Sequence, residues 1–241
     1  MRHAEYDDIA AEYTASKQLP FRLVVEAPSL FRLAGDVAGK SLLDLACGDG
    51  TFSRAFARRG AKPVLGIDLS DAMVERARDA ERGMPLEINY RQGDAATLGA
   101  VGAFDLVSAA YLFNYAKDRS QLLAFARTVH ANLKSGGRLI AYNDNPLTPE
   151  DDYVSHAEFG FERTVERPRR EGSVVRYQFG SWGFDNFWLP PATYEEVFAE
   201  AGLADFRFVP ASADLAGRPD AALWQRFLEA CPIIGLEARK A

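Results

Sequence analysis

Three aspartates stand within or just after short apolar runs, and the first of them is followed by a glycine-rich turn. Asp44 lies in the leucine-rich run 41–45, before Gly48 and Gly50, while Asp68 and Asp94 accompany the next two runs. Glycine lets a ligand approach the backbone closely, and a helix that starts after the turn points N–H groups into the same space. Carboxylates beside such a turn predict a site for a nucleotide-like ligand.

The elements that must hold these residues are visible as hydrophobic periodicity. Short apolar runs predict strands at 41–45, 63–68, 86–90 and 104–110, and a helical spacing of apolar residues follows Thr51. Because a β-α-β unit brings the carboxyl ends of its parallel strands to one edge, we expect the aspartates to meet there. Asp68 follows Gly50 by about eighteen residues, where that unit places a carboxylate over ribose hydroxyls.

The second half of the chain changes character between 146 and 191. A weak alternation and an aromatic-rich stretch there predict a small antiparallel sheet, which we expect to cover the site. Its aromatic faces suit a flat heterocycle or a cation, although packing of the insertion is the alternative. The candidate contacts in it are Trp182, Phe184, Phe187 and Trp188. Around it, the pattern predicts a helix at 119–133, a strand at 138–142, helices at 192–203 and 221–230, and strands at 206–209 and 233–238.

Two kinds of nucleotide site compete for the glycine turn. The dinucleotide fingerprint G-x-G-x-x-G/A fits Gly48 to Ser53, with serine in the third small position, and would indicate an NAD(P)-dependent oxidoreductase. A P-loop is excluded because no Gly-Lys-Ser/Thr follows. The pattern that begins at the carboxylate, Asp44-x-Ala46-x-Gly48-x-Gly50, resembles the first motif of class I S-adenosylmethionine-dependent methyltransferases, with Ala46 in place of the first glycine.

This resemblance covers nearly the whole chain and implies a fold. It is an α/β, Rossmann-like fold with a seven-stranded, mostly parallel sheet, helices on both faces and an antiparallel last strand. A small β-rich cap is inserted after strand five. We expect a single methyltransferase domain, 1–241. Its parts are N-terminal lid helices at 1–34, a cofactor-binding core at 35–145, the cap insertion at 146–191, and C-terminal helices and strands at 192–241.

The resemblance also implies which residues bind S-adenosylmethionine. Asp94 would accept a hydrogen bond from the adenine amino group, the following backbone N–H would face the ring, and Tyr13 in a lid helix would bond the methionine carboxylate. The structural alternatives are a packing role for Tyr13, a turn carboxylate for Asp44 and a helix-start residue for Asp68. The full expected set is Tyr13, Asp44, Ala46, Gly48, Gly50, Asp68, Leu69, Asp94, Ala95 and Ala110.

Acceptor residues are expected where the fourth strand ends, since ligands of open α/β sheets bind outside the carboxyl ends of the strands. Tyr111 and Asn114 follow that strand and are our catalytic candidates near the reacting methyl group; packing of the turn is the alternative. Asn143, after the fifth strand, is a candidate substrate contact, as is Tyr111. Of the scattered histidines, His156 in the cap is the one candidate base.

Three stretches are similar to toxoflavin-type methyltransferases, which methylate ring nitrogens of an azapteridine in bacterial secondary metabolism. They are 35–48, 111–116, and the tail with Cys231 before Gly235 and Leu236. The resemblance implies in-line transfer of a methyl group to a ring nitrogen of a planar heterocycle, with positioning as the main source of catalysis. The cap does not match that family. O- or C-methylation of another small aromatic metabolite is an alternative, as is a fold that binds the cofactor without transferring methyl.

Composition bounds the partners of the protein. The 241 residues carry a net charge of −6, which argues against a nucleic-acid partner and gives an anionic membrane no attraction. Two cysteines, one of them inside the glycine turn, cannot form a disulfide framework, and the histidines suggest no metal. With no signal-peptide core or membrane-length apolar run, we expect a cytoplasmic enzyme that acts on a small molecule without an obligatory protein partner.

Overall fold

The computed structural model describes residue 12 and residues 14–241. The strands in that part of the chain are β1 Leu42–Leu45, β2 Val64–Asp68, β3 Ile88–Gln92, β4 Phe104–Ala110, β5 Leu133–Asp144, β6 Glu162–Val165, β7 Ser173–Phe179, β8 Trp182–Trp188, β9 Leu203–Pro210 and β10 Ile233–Lys240. The α-helices there are α1 Ala27–Ala34, α2 Thr51–Arg58, α3 Asp71–Gly83, α4 Arg119–Asn132, α5 Pro191–Glu200 and α6 Ala221–Glu229.

Seven of these strands form the central sheet, in the order β3-β2-β1-β4-β5-β10-β9. The pairs from β3 to β5 are parallel, and β10 pairs antiparallel with both β5 and β9. The predicted seven-stranded, mostly parallel sheet with an antiparallel last strand is therefore confirmed. Because the strand order reverses at β1, the crevice outside the carboxyl ends of β1 and β4 is where ligands of such sheets bind.

Alternating side chains of the strands build a core on each face of the sheet. In β1, Leu42 belongs to a cluster with residues of α1, α2 and α3, whereas Leu43 belongs to one with residues of α4 and α5. Helices thus occupy both faces, as predicted, and hold the strand ends rigidly at the crevice. None of the helices in the described part of the chain is long and apolar enough to cross a membrane.

A π-helical turn, Arg22–Glu26, leads into α1 and brings two charged side chains under the cap. The helix runs on without a break into α1, and the N–H of Ala27 donates to the carbonyl oxygen of Arg22, five residues back, so the helix is wider just before Pro28, which has no N–H to donate. The π turn is how this part of the predicted N-terminal lid helices accommodates a proline. Single π turns are frequent at functional sites. Arg22 and Glu26 are both buried here, at 4% and 1% exposure.

The second sheet, with the order β6-β7-β8, is antiparallel throughout and is the predicted β-rich cap after the fifth strand. Its aromatic side chains form a cluster with Phe21 and Val25, just before α1, and with Trp224 and Phe227 of α6. A buried ion pair links the cap to the central sheet. Arg163 of β6 donates to Asp144 at the end of β5, from Nε at 2.7 Å and from Nη2 at 3.0 Å.

Candidate active site

Backbone conformation explains the glycines of the turn after β1. Gly48 and Gly50 have φ angles of +56° and +79°, in the left-handed region that glycine adopts without a steric penalty. A Cβ on Gly50 would lie 2.5 Å from the hydroxyl oxygen of Tyr90, whereas one on Gly48 would meet no described atom within 4 Å. The turn is therefore packed against β3 at Gly50 and open at Gly48, which leaves room for a ligand.

Ala46 keeps the conformation of the glycine that it replaces in the motif. Its φ angle is +58°, which an alanine adopts at a cost of roughly 1–2 kcal/mol. The next residue is fixed to the neighbouring strand, since the N–H of Cys47 donates to the carbonyl oxygen of Ile67 at 3.0 Å. The turn thus has the shape that the motif implies, with stored strain at its first position.

Asp44 is buried beneath this turn and is only 1% exposed. Its Oδ2 accepts a hydrogen bond of 2.6 Å from the hydroxyl of Ser53 in α2. Burial raises the pKa of Asp44 to about 6, and the bond from Ser53 opposes that rise. The carboxylate therefore ties β1 to α2, and a ligand in the crevice would sense it mainly through its charge.

Asp68 joins the ends of three strands. Its Oδ2 accepts from the N–H of Gly48 at 2.8 Å, its Oδ1 accepts from the N–H of Ser70 at 2.9 Å, and its carbonyl oxygen accepts from the N–H of Gly93 at 2.8 Å. Burial raises the pKa of Asp68, and the two backbone N–H groups that bond the carboxylate oppose the rise. Leu69 beside it is half-buried. Asp68 thus lies at the rim of the crevice, where the resemblance implies a ribose.

Asp94 and Ala95 follow β3 at the same edge of the sheet. The Oδ1 of Asp94 accepts from the N–H of Ala96 at 2.8 Å, and Asp94 remains half-exposed. Ala95 is 7% exposed and packs in the core cluster that contains Ile67. The sheet therefore brings the aspartates at the ends of β1, β2 and β3 to adjacent positions, with Asp44 buried and the other two at the surface of the crevice.

Tyr111 holds an unusual conformation immediately after β4, whose last residue, Ala110, is 8% exposed. The φ angle of Tyr111 is +65°, which is an outlier for an aromatic residue. Its N–H donates to the carbonyl oxygen of Tyr142 at 2.7 Å, and its hydroxyl donates to Oε2 of Glu26. One hydrogen bond therefore fixes the main chain of Tyr111, and the other fixes its hydroxyl, at the crevice.

A narrow cavity lies between Tyr111 and the cap. It has room for about one water molecule, about 20 Å³. A space of this size holds no aromatic ring unless part of the wall moves. The side chains that line it are Phe21, Arg22, Tyr111, Tyr115, Tyr177, Phe179, Phe184, Asn186 and Ile233.

The two predicted asparagines take different positions. Asn114 is buried next to the cavity wall, where its Nδ2 donates to Oδ1 of Asn186 at 2.8 Å and its own Oδ1 has no partner among the described residues. Asn143 instead faces α5, because its Nδ2 donates to the hydroxyl of Tyr194 at 3.0 Å. Asn143 does not line the cavity, and its expected substrate contact finds no support in this geometry.

Of the four cap aromatics predicted to contact the substrate, only Phe184 lines the cavity. Trp182 stacks on Phe179 with ring centroids 4.7 Å apart, and both Trp182 and Phe184 pack against Met73 at the start of α3. Phe187 lies on the other face of β8, with Nζ of Lys117 5.0 Å from its ring, because side chains alternate along a strand.

Trp188 is a packing residue of the cap rather than a part of the cavity wall. Its Nε1 donates to the carbonyl oxygen of Pro146 at 3.1 Å, and the guanidinium of Arg169 lies 4.3 Å from its ring. Phe187 lies on the face of β8 opposite Phe184, whereas Trp188 lies on the same face but packs beside Pro146. Neither lines the cavity, and their expected substrate contacts find no support in this geometry.

His156 is 2% exposed and lies inside the aromatic cluster under the cap. Its ring stacks on Phe161 at 5.1 Å, and its Nε2 is 3.1 Å from the carbonyl oxygen of Ala230. Burial lowers the pKa of His156, so the ring is kept neutral. Its role as a base loses its support, because the imidazole is packed away from the cavity.

Sequence reasoning missed three residues that the fold brings to the site: Arg22, Glu26 and Tyr90. Arg22 and Glu26 stand four residues apart in an apolar helical segment, and that spacing is the signal from which a buried pair could have been suspected. Tyr90 offers no such signal, since an aromatic in a strand is ordinary. Tyr13, an expected cofactor contact, lies outside the described residues.

Comparison with known proteins agrees with this geometry. Residues 42–137 match the family model described as a methyltransferase domain. A ubiquinone biosynthesis O-methyltransferase of Acinetobacter baylyi is 35% identical over 118 residues, which cover 47% of this chain and 48% of that protein. The chain thus spans about half the length of the curated relatives it matches.

Two solved structures are similar over most of the chain. An S-adenosylmethionine-dependent methyltransferase from Mesorhizobium loti has a TM-score of 0.64 and 24% identity, and the match covers 89% of this chain and 97% of that one. The structure of DhpI in complex with SAH has a TM-score of 0.61 and 20% identity, with 99% and 95% covered. Residues 42–137 are therefore similar to a methyltransferase domain, and the chain shares the fold of these two methyltransferases.

Proposed function

We propose that this protein transfers a methyl group from S-adenosylmethionine to a small planar acceptor. The observation that carries the proposal is the crevice at which the strand order reverses. On one side it has the glycine turn, open at Gly48, and on the other side it has Tyr111 at the end of β4. A site built between these two groups can place a cofactor against an acceptor under the cap.

The residues present fit this cofactor. Asp68 at the rim would bond the ribose hydroxyls, Asp94 and Ala95 would contact the adenine, and the turn at Gly48 would lie against the methionine part. The buried charge of Asp44 favours a cation nearby, and the sulfonium of S-adenosylmethionine carries that charge. In this proposal the core 35–145 binds the cofactor and the cap 146–191 covers the acceptor as parts of one domain.

The cofactor, when bound, supplies a methyl group on positively charged sulfur, from which a neutral thioether leaves. The chain then has to orient and to exclude water. Trp182 and Phe184 of the cap reach Met73 beside the end of β2, so the cap spans the crevice from the acceptor side to the cofactor side. Such closure keeps the reactants aligned, which can contribute an effective molarity of order 10⁵–10⁸ M.

We propose a ring nitrogen of an azapteridine-like heterocycle as the acceptor atom, on the basis of the toxoflavin-type stretches at 35–48 and 111–116. The aromatic wall of the cavity supports a flat acceptor. Transfer to a phenolic oxygen is the second candidate, and the similarity to a ubiquinone biosynthesis O-methyltransferase favours it.

Cofactor binding is the first test of the proposal. We expect calorimetry to give low-micromolar affinity for S-adenosylmethionine and no binding of NADH. Asp68→Ala should weaken that affinity at least tenfold, because it removes the carboxylate at the ribose position. Asp71→Ala, an exposed change at the start of α3, is the matched control and should bind normally. Wild-type affinity in Asp68→Ala, or preferred binding of NADH, would contradict the proposal.

Transfer of radiolabelled methyl is the second test, with an azapteridine, a set of catechols and a set of amines as acceptors. Phe184→Ala should raise the KM for the acceptor, since Phe184 lines the cavity. Phe187→Ala on the opposite face of β8 is the control and should leave KM unchanged. Label in the azapteridine selects the ring nitrogen, label in the catechols selects oxygen, and no label in any acceptor refutes transfer.

A further inference from the structure

Two neighbouring side chains, Arg22 and Glu26, and the distant Tyr111 form a buried hydrogen-bonded group at the acceptor side. Nη1 of Arg22 lies 2.8 Å from Oε2 of Glu26, and these side chains are 5% and 1% exposed. The hydroxyl of Tyr111 donates to the same carboxylate oxygen. Since Tyr111 and Arg22 line the cavity, the group connects the cavity wall to a carboxylate behind it.

The backbone keeps Tyr111 in this connection at a cost. A non-glycine residue with positive φ persists only when its surroundings over-determine it, and such strain clusters at functional sites. Here the N–H bond to Tyr142 fixes the main chain, and the bond to Glu26 fixes the hydroxyl. The strained residue is the one directly after β4, on the acceptor side of the crevice.

The charges of the group suit proton transfer. Glu26 would be a costly lone charge in apolar surroundings, and the guanidinium of Arg22 compensates it. Burial raises the pKa of the Tyr111 hydroxyl, and the nearby charge of Glu26 raises it further. Tyr111 therefore keeps its proton and cannot itself be a lasting base, but it can pass a proton on while it receives another.

We infer that Tyr111 and Glu26 form a proton relay that ionises the acceptor, and that the acceptor therefore carries an acidic N–H or O–H on its ring. This inference rests on the proposed function. The acceptor N–H or O–H bond breaks and its electron pair stays on the acceptor atom. The proton bonds to the Tyr111 oxygen as the Tyr111 proton bonds to Oε2 of Glu26. Glu26 becomes neutral, and its proton leaves to water when the product departs.

A chromogenic acceptor tests the relay without any methyl transfer. The probe is 4-nitrocatechol, added to the full chain saturated with S-adenosylhomocysteine, at a pH one unit below the pKa of the probe in water. We expect the wild type to bind the probe as its coloured phenolate. Glu26→Gln and Tyr111→Phe should each lower the ionisation constant of the bound probe at least tenfold, so that the phenolate band is lost while binding continues.

Tyr153→Phe is the matched control, because it removes a hydroxyl that contacts a different arginine, Arg163, and it should keep the band. If Glu26→Gln does not fold, Tyr111→Phe decides alone, since it leaves the Arg22–Glu26 pair intact. A band that survives in Tyr111→Phe, or a wild type that binds the probe without a band or not at all, overturns the relay. A band without transfer of labelled methyl to any acceptor would contradict the proposed function alone.

Discussion

Two buried carboxylates at the same edge of the sheet are treated in opposite ways. Asp144, at the end of β5, is 4% exposed and has a two-point ion pair with Arg163 and a bond from the Tyr177 hydroxyl at 2.7 Å. Asp44, in β1, is 1% exposed and accepts from the neutral hydroxyl of Ser53. The side that we propose for the acceptor (the acceptor side) is thus electrically complete, while the side that we propose for the cofactor (the cofactor side) buries a charge that its hydrogen-bond partner Ser53 does not neutralise.

The difference matches the arrangement that we propose, with a cationic cofactor beside Asp44. A carboxylate in low dielectric favours a positive charge nearby, and the charge of Lys17 lowers the pKa of Asp44 less than the hydrogen bond from Ser53 does. A cationic cofactor would supply the missing charge. On the acceptor side, Glu26 is paired with Arg22 just as Asp144 is paired with Arg163, which suits an acceptor that arrives uncharged and loses its proton only after it binds.

The largest expected effect comes from breaking the ion pair between Arg163 and Asp144 on the acceptor side. Arg163→Met leaves Asp144 buried without its cation, and we expect the free energy of unfolding to fall by about 3–5 kcal/mol. Chemical denaturation measures it. Arg176→Met is the matched control, since Arg176 pairs with Asp185 in the same two-point geometry, at 2.7 and 2.8 Å, but on an exposed face. Its loss should stay within about 1 kcal/mol. Equal losses of stability in the two variants would show that burial does not decide how strongly the Arg163–Asp144 pair stabilises the protein.

Removing the charge of Asp44, on the cofactor side, should instead raise the free energy of unfolding. The pKa of Asp44 rises from 3.8 to about 6 on folding, so folded protein binds more protons than unfolded protein in that interval. Stability is therefore fully present below pH 3.8 and is lost as the pH rises through about 6. Asp44→Asn removes this loss and keeps an acceptor for Ser53. We expect it to raise the free energy of unfolding at pH 8 by about 2–3 kcal/mol.

Two comparisons check that expectation. The gain of Asp44→Asn should vanish in denaturation experiments below pH 4, where the wild-type carboxyl is protonated as well. Asp71→Asn, an exposed change on α3, should show no gain at either pH. A variant Asp44→Asn that is less stable than the wild type at pH 8 would mean that the charge of Asp44 is compensated in the folded protein.

The same contrast explains what could be predicted from the sequence. The cofactor side is built from contacts that are short along the chain: Ser53 lies 9 residues from Asp44, and Asp68 lies 20 residues from Gly48. Strand, turn and helix patterns encode such contacts directly, so the sheet and its glycine turn were predictable. On the acceptor side, Tyr111 bonds a residue 85 positions away, and no local pattern encodes that pairing.

Strand register accounts for the different positions of the aromatics within the cap. Four aromatics in one short stretch look equivalent in sequence, but the alternation along β8 sends Phe184 to the cavity and Phe187 to the opposite face. Which face is buried depends on the partner strand and on Phe21, which is distant in the chain. His156 shows the same limit, because its neighbours Phe161 and Phe227 convert a possible base into a packing residue.

Cofactor binding should change the protonation of the Asp44 carboxyl. At pH 6 about half of the Asp44 carboxyls carry a proton, since the pKa is about 6, and a bound cation lowers that pKa. We expect S-adenosylmethionine to release up to about half a proton per site on binding. Calorimetry in two buffers of different ionisation enthalpy measures this release. S-adenosylhomocysteine, which lacks the sulfonium charge, is the control and should release fewer protons. Equal proton release by both ligands would show that the pKa of Asp44 does not respond to the sulfonium.

The smallest expected effect concerns the strain in the turn on the cofactor side. Ala46 has a φ angle of +58°, and Ala46→Gly removes a left-handed penalty of roughly 1–2 kcal/mol while it adds about 0.4–1 kcal/mol of unfolded-state entropy. The net gain in the free energy of unfolding should be about 0.5–1 kcal/mol by chemical denaturation. The same exchange at Ala80, exposed within α3, should instead lose about 1 kcal/mol, because glycine is a poor helix former. Changes of opposite sign in the free energy of unfolding follow only if the turn, unlike the helix, holds its alanine in a conformation that favours glycine. A loss of stability in both variants would show that Ala46 is not strained.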